Sequence, residues 1–222
     1  MILNPLAQVL IFAFILSGLL SAKLPGIDNK YSYAIYLMAG TVGWTLFAEI
    51  INRCLTVFID NSNTMKKLVF PKSTLPVIVA GSALVNNLLL LVSIIVIFAI
   101  LGHTVSSAIL WLPLVMIVTI AFAVGIGLFL GVLNVFIRDI GQIIPIVLQI
   151  WYWFTPVVYM ETILPKGFGQ YLTLNPMYPI ISAYHNILVF QKNPNMTALG
   201  IIGCISAGLL LLALFVYRRA SA

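Results

Sequence analysis

The sequence predicts an all-α membrane protein with six transmembrane helices, and with short re-entrant or interfacial helices between the fifth and the sixth. Hydrophobic residues make up 62% of the 222 residues and charged residues only 7%, whereas a soluble domain carries roughly 25% charged residues. A helix needs about 20 mostly apolar residues to cross the hydrocarbon core of a bilayer. Six segments meet that requirement, at residues 2–22, 33–59, 75–101, 108–136, 140–159 and 197–217.

The stretch between the fifth and sixth segments, residues 160–191, has a different character. It contains Pro165, Gly167, Pro176 and Pro179, and no apolar run of 20 residues remains in it. Broken backbone at membrane depth is tolerated only where protein or water covers it. We therefore expect one or two short helices that dip into the outer leaflet or lie on it. Since no linker or internal repeat is evident, residues 1–222 are expected to form a single transmembrane domain.

The basic residues predict how the helices are oriented in the membrane. Six spans place both termini on one side, and that side carries more lysine and arginine than the other. Basic loops of multi-pass proteins face the cytoplasm, so both termini are expected there. The net charge of +6 then reflects orientation among membrane lipids, and no nucleic-acid partner is expected. The basic residues on the side of the two termini are Arg53, Lys66, Lys67, Lys72, Arg138, Arg218 and Arg219. Those on the opposite side are Lys23, Lys30, Lys166 and Lys192.

A polar island at residues 60–71 lies between two long apolar segments. Its pattern predicts a small amphipathic helix, in which Met65, Leu68 and Val69 share one face at i, i+3 and i+4. Pro71 is expected to end it, because the residue before a proline is disfavoured in the α region. Asp60, Asn61 or Ser62 could serve as its N-cap. A membrane protein that presents such a helix at its surface is expected to dock something there.

The sequence lacks the motifs that would make the chain an enzyme. It contains no G-x-x-x-x-G-K-[ST] loop for phosphates, no H-E-x-x-H and no G-x-S-x-G. His103 and His185 are expected near the external surface and far apart, and Cys54 and Cys204 lack neighbours that would complete a metal site. No catalytic residue, metal or cofactor of this chain is expected, so any energy source must bind from outside it.

Charged and small residues inside the spans allow two interpretations each. Glu49 and Arg53 stand at i and i+4 in the second segment, in the order that favours an ion pair. Ionisable groups at this depth usually face protein or water, so the pair could hold two helices together or take part in gating. Gly127 and Gly131 form a G-x-x-x-G in the fourth segment, which favours close helix packing within the chain or between two chains.

Aromatic residues crowd the outer half of the fifth segment, and others lie in the second. They could belong to the aromatic belt at the membrane surface. Four consecutive aromatics cover every face of a helix, however, so some must point inward, where rings could stack on the apolar faces of sugars. The candidates for such a lining are Trp44, Trp151, Tyr152, Trp153 and Tyr159.

Six short stretches of the sequence, taken in order, resemble the permease subunit of ABC-2 type exporters. The likeness is greatest to the polysaccharide-export branch, which handles O-antigen, capsule or teichoic-acid chains. The segments are 44–49 (Trp-Thr-Leu-Phe-Ala-Glu), 60–63 (Asp-Asn-Ser-Asn), 66–71 (Lys-Lys-Leu-Val-Phe-Pro), 134–140 (Asn-Val-Phe-Ile-Arg-Asp-Ile), 149–159 (Gln-Ile-Trp-Tyr-Trp-Phe-Thr-Pro-Val-Val-Tyr) and 175–177 (Asn-Pro-Met).

The resemblance implies a homodimer of permeases in a bacterial inner or cytoplasmic membrane, with two separate nucleotide-binding subunits that carry ATP and Mg²⁺. It implies that a lipid-linked polysaccharide passes outward beside the aromatic residues. Family members usually begin with an amphipathic helix before the position of Leu3, and this chain is expected to lack it. Coupling to the ATPase is expected through Asp60, Asn61, Asn63, Met65, Lys66, Lys67, Leu68, Phe70 and Pro71 and through Arg138 and Asp139.

Two other functions remain open on the sequence. An ABC-2 exporter of drugs or small lipids would share the architecture, although the aromatic fifth segment and the form of the polar island argue against it. An ion- or proton-coupled secondary carrier would usually show inverted repeats and ionisable residues at the midplane. The sequence shows no such repeat and offers only Glu49 and Arg53 for that role.

Overall fold

The computed structural model describes residues 31–61, 74–160 and 169–220. Every regular element within these ranges is a helix. The predicted first span and most of the polar island lie outside the described residues. The helices are α1 (Ser32–Asp60), α2 (Thr74–Ile100), a 3₁₀ helix (Ser107–Trp111) that leads directly into α3 (Leu112–Phe136), α4 (Ile140–Phe154), α5 (Gly169–Leu172), α6 (Met177–Leu188) and α7 (Met196–Ala220).

Four of the described helices are long and apolar enough to cross a membrane. They are α1, α2, α3 together with its 3₁₀ extension, and α7 over Met196–Tyr217. These four confirm the predicted spans 33–59, 75–101, 108–136 and 197–217. The described part of the chain therefore supports an all-helical membrane protein, and the total of six spans stays a prediction.

The predicted fifth span is wrong in its length. Helix α4 has 15 residues and ends at Phe154, so it is about 22 Å long at 1.5 Å per residue, against a hydrocarbon core of about 30 Å. The cause is local. Thr155 precedes Pro156, which disfavours α geometry, and Thr155 is extended with φ −106° and ψ 136°. Pro145 lies inside the helix, where it removes one further backbone hydrogen bond.

Helix α1 is the central element of the described structure. It packs against α2, α3, α4 and α6, and most of its residues are buried, as expected of a helix largely surrounded by others. The less buried positions form one stripe along the helix, from Thr41 to Ile59. Helix α2 instead buries a single stripe against α1 and leaves its opposite side exposed. The stripe repeats every three or four residues, at Val79, Ala83, Asn87, Leu90, Ile94 and Phe98.

Glycines decide how closely α3 approaches α1. A Cβ atom on Gly127 would lie 2.8 Å from Cys54 Cβ, and one on Gly131 would overlap the Cys54 carbonyl oxygen. The backbones of the two helices therefore touch here, which only glycine permits. Of the two interpretations of the G-x-x-x-G pattern, the structure shows packing within the chain.

The described residues of the segment before α7 form two short helices, α5 and α6. Helix α6 packs on α1, on α3 and on the 3₁₀ helix, and Tyr184 fits against Gly43 of α1, where a Cβ would lie 2.5 Å from the tyrosine ring. The presence of short helices here agrees with the prediction, and their number over residues 160–191 stays a prediction. Whether they are re-entrant or interfacial stays a prediction.

Both histidines are buried among the described helices. The His185 ring stacks on Tyr36 with centroids 3.7 Å apart, and its Nε2 lies 3.2 Å from the Tyr36 carbonyl oxygen. His103 Nε2 lies 2.8 Å from the carbonyl oxygen of Leu188. The side of the membrane on which the two histidines lie stays a prediction.

Candidate transport path and coupling edge

The polar island begins where α1 ends. Asp60 is the last residue of α1, and both the backbone N–H and the side-chain amide of Asn61 donate to the Val57 carbonyl oxygen, at 3.2 and 2.8 Å. Asp60 and Asn61 thus close the preceding helix, as polar groups commonly do at helix ends. The other predicted coupling residues of the island, from Asn63 to Pro71, lie outside the described residues.

The second predicted coupling element is the turn between α3 and α4, residues 137–139. Helix α3 ends because Ile137 is extended, with φ −128° and ψ 94°. Arg138 and Asp139 are both exposed, so their charges are presented on the surface of the described structure. We call the end of the molecule that carries this turn and Asn61 the turn end.

The first turn of α4 is capped by a residue that sequence reasoning did not single out. Asp139 occupies the N-cap position but its side chain makes no capping bond. Instead, Asn134 Oδ1 accepts a hydrogen bond from Gly141 N at 2.8 Å, and Asn134 Nδ2 donates to the Leu55 carbonyl oxygen at 2.7 Å. Asn134 was included in a motif of the sequence, but this pairing depends on a helix 79 residues away and cannot be read from local spacing.

Glu49 and Arg53 form an ion pair on α1. Arg53 Nη2 lies 2.6 Å from Glu49 Oε1. Each charge also bonds to α2, because Asn86 Nδ2 donates to Glu49 Oε1 and Arg53 Nη1 donates to Ser82 Oγ, both at 2.8 Å. The two side chains remain 23% and 30% exposed. The pair therefore joins two helices, which fits the structural interpretation; its depth in the membrane and a role in gating stay predictions.

The polar contact between α1 and α2 continues toward the middle of both helices. Asn87 is 2% exposed, and its Nδ2 donates to the Val42 carbonyl oxygen at 2.9 Å. Its Oδ1 is buried and has no hydrogen-bond partner among the described residues. Polar side chains of this kind fix the register of two apolar helices, because a shifted register would leave them unpaired.

The predicted lining aromatics divide into a buried set and an exposed set. Trp44 is 8% exposed, and its indole packs edge-on against Trp151 and Tyr152, with centroids 6.3 and 5.4 Å apart. Trp153, by contrast, is 58% exposed. The interior cluster continues with Phe47, which stacks on Phe122 of α3. In the described structure Trp44 is a packing residue, whereas Trp153 is open to its surroundings.

An open aromatic cleft lies where α4 ends. Its cavity volume is about 910 Å³, which is large enough for several sugar rings. Three of the predicted lining residues contribute to it. The sequence missed the others, most of which lie in the irregular segment around α5. The lining residues are Trp151, Trp153, Phe154, Tyr159, Tyr171, Leu172, Leu174, Asn175 and Pro176. We call this end of the molecule the cleft end.

Asn175 connects α4 to α6 beside the cleft. Its Oδ1 accepts from Trp151 Nε1 at 2.9 Å and from the Met177 backbone N–H at 3.0 Å. Its Nδ2 donates to Thr155 Oγ1 at 2.9 Å and to the Phe154 carbonyl oxygen at 3.3 Å. The side chain uses its full hydrogen-bonding capacity. It fixes the Trp151 indole in the cleft wall and begins α6.

Tyrosines of α1 hold the chain just after α4. Tyr36 Oη donates to the carbonyl oxygens of Tyr159 and Pro156, at 3.1 and 3.3 Å, and Tyr33 Oη donates to that of Val158. Gly40 leaves room for this segment, since a Cβ there would lie 2.8 Å from the Val157 carbonyl oxygen. These bonds satisfy carbonyl groups of the irregular segment that follows α4.

Helix α4 carries a polar and aromatic stripe along its exposed side. Gln142, Ile146, Gln149 and Trp153 follow the i, i+4, i+7 spacing of one helix face, and all four are exposed. Leu148 is the one buried side chain of this helix. Amide side chains facing lipid would be costly, so this face is suited to contact water, a ligand or another polypeptide. Across the described residues, no group of three or more metal-binding side chains is present.

The chain is similar in sequence to known membrane transport proteins. A family model described as "ABC-2 type transporter" matches residues 1–189. The chain is 29% identical over 192 residues to an O-antigen export system permease protein RfbA of Klebsiella pneumoniae, covering 85% of this chain and 71% of the relative. It is 24% identical over 210 residues to the protein of the same name from Myxococcus xanthus, covering 94% and 78%.

Proposed function

The chain belongs to the ABC-2 type transporter family, and we propose that it is the transmembrane subunit of an ATP-driven exporter of a lipid-linked polysaccharide. Its relatives named for O-antigen export support that substrate class. Membership in the family makes the chain a membrane component of a transporter. The nucleotide-binding subunit that hydrolyses ATP would be a separate polypeptide.

The observation that carries the proposal is the exposed face of α4. Its two glutamines, Gln142 and Gln149, can exchange hydrogen bonds with sugar hydroxyls, and Trp153 offers an exposed ring on the same face. The face leads toward the aromatic cleft, where further rings are available. A surface that combines amide and apolar groups suits a polysaccharide, which presents hydroxyl groups at its edges and apolar C–H groups on its ring faces.

The same face supports a second copy of this chain as partner. Helix α4 is about 22 Å long and buries one side chain within its own chain, so much of its surface is available for contact. In a homodimer, two such faces would line one path between the subunits and keep the glutamines from lipid. Two copies would also supply two turn ends, one for each ATPase subunit.

The turn end is proposed to face the cytoplasm and to receive the nucleotide-binding subunit. Arg138 and Asp139 are exposed there, and α1 ends there at Asp60, directly before the polar island. Movement of the ATPase subunits on binding ATP would act on these elements and tilt the helices attached to them. The excess of basic residues on this side supports the orientation.

Export by the complete transporter tests the proposal. We expect Trp153→Ala to lower ATP-dependent glycan export about fivefold, the loss of roughly 1 kcal/mol of aromatic contact, while the ATPase still co-purifies. Trp153→Phe should restore most of the activity. Leu212→Ala, at an exposed position of α7, serves as the control and should export normally.

Three results would count against the proposal. Trp153→Ala could export at the rate of the parent protein, which would remove the α4 face from the path. Met65→Asp with Leu68→Asp could leave co-purification of the ATPase undiminished, which would remove the polar island from the docking surface. The permease could also export at full rate in vesicles without the ATPase.

A further inference from the structure

Asn134 joins three helices at the turn end. It lies near the end of α3 and is 2% exposed. Its amide nitrogen donates to Leu55 O of α1 at 2.7 Å, and its amide oxygen accepts from Gly141 N of α4 at 2.8 Å. Gly141 N also donates to Arg138 O at 3.2 Å. A single buried side chain thus bonds to the backbone of both neighbouring helices.

The surroundings are fitted to this side chain. A Cβ on Gly141 would lie 3.0 Å from both the oxygen and the nitrogen of the Asn134 amide, so glycine leaves the space for the close approach. One helical turn earlier, Gly131 brings the α3 backbone against Cys54 of α1. Packing therefore fixes α3 on α1, and the Asn134 amide extends that attachment to the start of α4.

Helix α4 has few other attachments of this kind. Leu148 is its one buried side chain, and α4 makes fewer contacts with α1 than α2 or α3 does. Without Asn134, the first turn of α4 would be held by the covalent turn and by partly buried residues such as Ile140 and Ile144. The exposed turn 137–139 connects α3, which carries Asn134, to α4, whose first turn the Asn134 side chain caps.

We propose that Asn134 is a positioning residue that makes α1, the turn 137–139 and the start of α4 move as one unit when the ATPase acts on the turn. The inference rests on the proposed function, because it assumes that the turn receives the ATPase. Displacement of the turn then reaches α1 and the path-lining face of α4 together. When the Asn134 bonds are absent, ATP hydrolysis continues but less of it results in export.

Two substitutions separate the two bonds. Asn134→Asp keeps an oxygen that accepts from Gly141 N but removes the donor to Leu55 O, whereas Asn134→Leu removes both at similar volume. Ser206→Ala is the matched control, because Ser206 is buried and bonds within its own helix, to Ile202 O. In the complete transporter, we expect Asn134→Leu to raise the ATP hydrolysed per glycan exported by about fivefold or more. The control should leave this ratio unchanged.

A distance measurement tests, independently of transport, whether Asn134 holds the start of α4 to α1. Spin labels on Thr56→Cys and Ile143→Cys, both exposed positions, would report the separation of α1 and α4. The exposed Cys204 is replaced by serine, and Cys54 is buried. We expect a narrow distribution of distances with Asn134, a broader one with Asn134→Asp and the broadest with Asn134→Leu.

The outcomes separate this inference from the proposed function. An unchanged ATP-to-export ratio or an unbroadened distance in Asn134→Leu overturns the inference, even where the variant assembles poorly, since the distance is measured in the permease itself. A parent complex that shows no ATP-dependent export overturns the proposed function instead. The distance result for Asn134 would still stand in that case.

Discussion

The two ends of α4 are each held by an asparagine, in opposite surroundings. At the turn end, Asn134 is buried and bonds to backbone atoms of α1 and α4. At the cleft end, Asn175 is half-buried and bonds to Trp151, Thr155 and two backbone groups. The first attaches α4 to the central helix of the protein, and the second to a short helix and an aromatic ring. The comparison indicates a rigid turn end and a more adaptable cleft end.

The largest effect is expected from crowding the rigid end. A Cβ on Gly131 would overlap the Cys54 carbonyl oxygen, so Gly131→Ala must separate α3 from α1, and we expect it to lower the free energy of unfolding by about 3 kcal/mol. This change in the free energy of unfolding can be measured by unfolding the purified protein with heat or detergent. Gly203→Ala is the control, because that position has open space around it. Equal effects of the two substitutions would show that α3 is not packed closely against α1 at Gly131.

A smaller effect is expected at the cleft end. Asn175→Ala removes four hydrogen bonds, but the site is half-buried and water can replace some of them, so we expect a loss of about 1–2 kcal/mol in unfolding free energy. The specific consequence is local. The NMR signal of the Trp151 indole N–H should shift and broaden, because its acceptor is gone, and Trp151→Phe assigns that signal among the four tryptophans.

Asn195→Ala provides the control for that measurement. Asn195 Oδ1 accepts from Ala198 N at the start of α7, so the substitution removes an asparagine hydrogen bond that does not involve the cleft. An unchanged Trp151 signal in Asn175→Ala would mean that Asn175 does not position the ring.

The smallest effect concerns a single hydroxyl group. Thr155→Val keeps the shape of the side chain but removes the acceptor for Asn175 Nδ2, which can still donate to Phe154 O. We expect a loss of under about 1 kcal/mol in unfolding free energy, and a small shift of the same Trp151 signal. Thr155→Ser, which retains the hydroxyl, should behave like the parent. A loss as large as that of Asn175→Ala would show that Thr155 carries the connection.

Sequence patterns predicted the long helices well, because long apolar runs have few alternatives. The spans at α1, α2, α3 and α7 were all found. The early end of α4 was missed, although Thr155 before Pro156 carries the local signal for it. The apolar composition of residues 155–159 suggests that the span continues through them. Pro156 instead disfavours helical geometry at Thr155, so the helix ends at Phe154.

The contacts between helices could not be predicted in the same way. Asn134 and Asn175 lie in segments that the sequence singled out, but their partners are Leu55, far along the chain, and Trp151 across an irregular connection. The G-x-x-x-G of α3 showed that a close approach occurs without showing which helix approaches. Such pairings depend on the three-dimensional arrangement, which spacing along one helix does not contain.

Pro145 has a consequence for how α4 can deform. Because proline has no backbone N–H, Gly141 O lacks the donor that a regular helix would supply at that position. Both tips of α4 are fastened to neighbours, so a change of tilt at one tip would be absorbed as a kink near this carbonyl rather than by detachment. The helix is therefore suited to bend at a single hinge, with its two halves changing angle while their attachments persist.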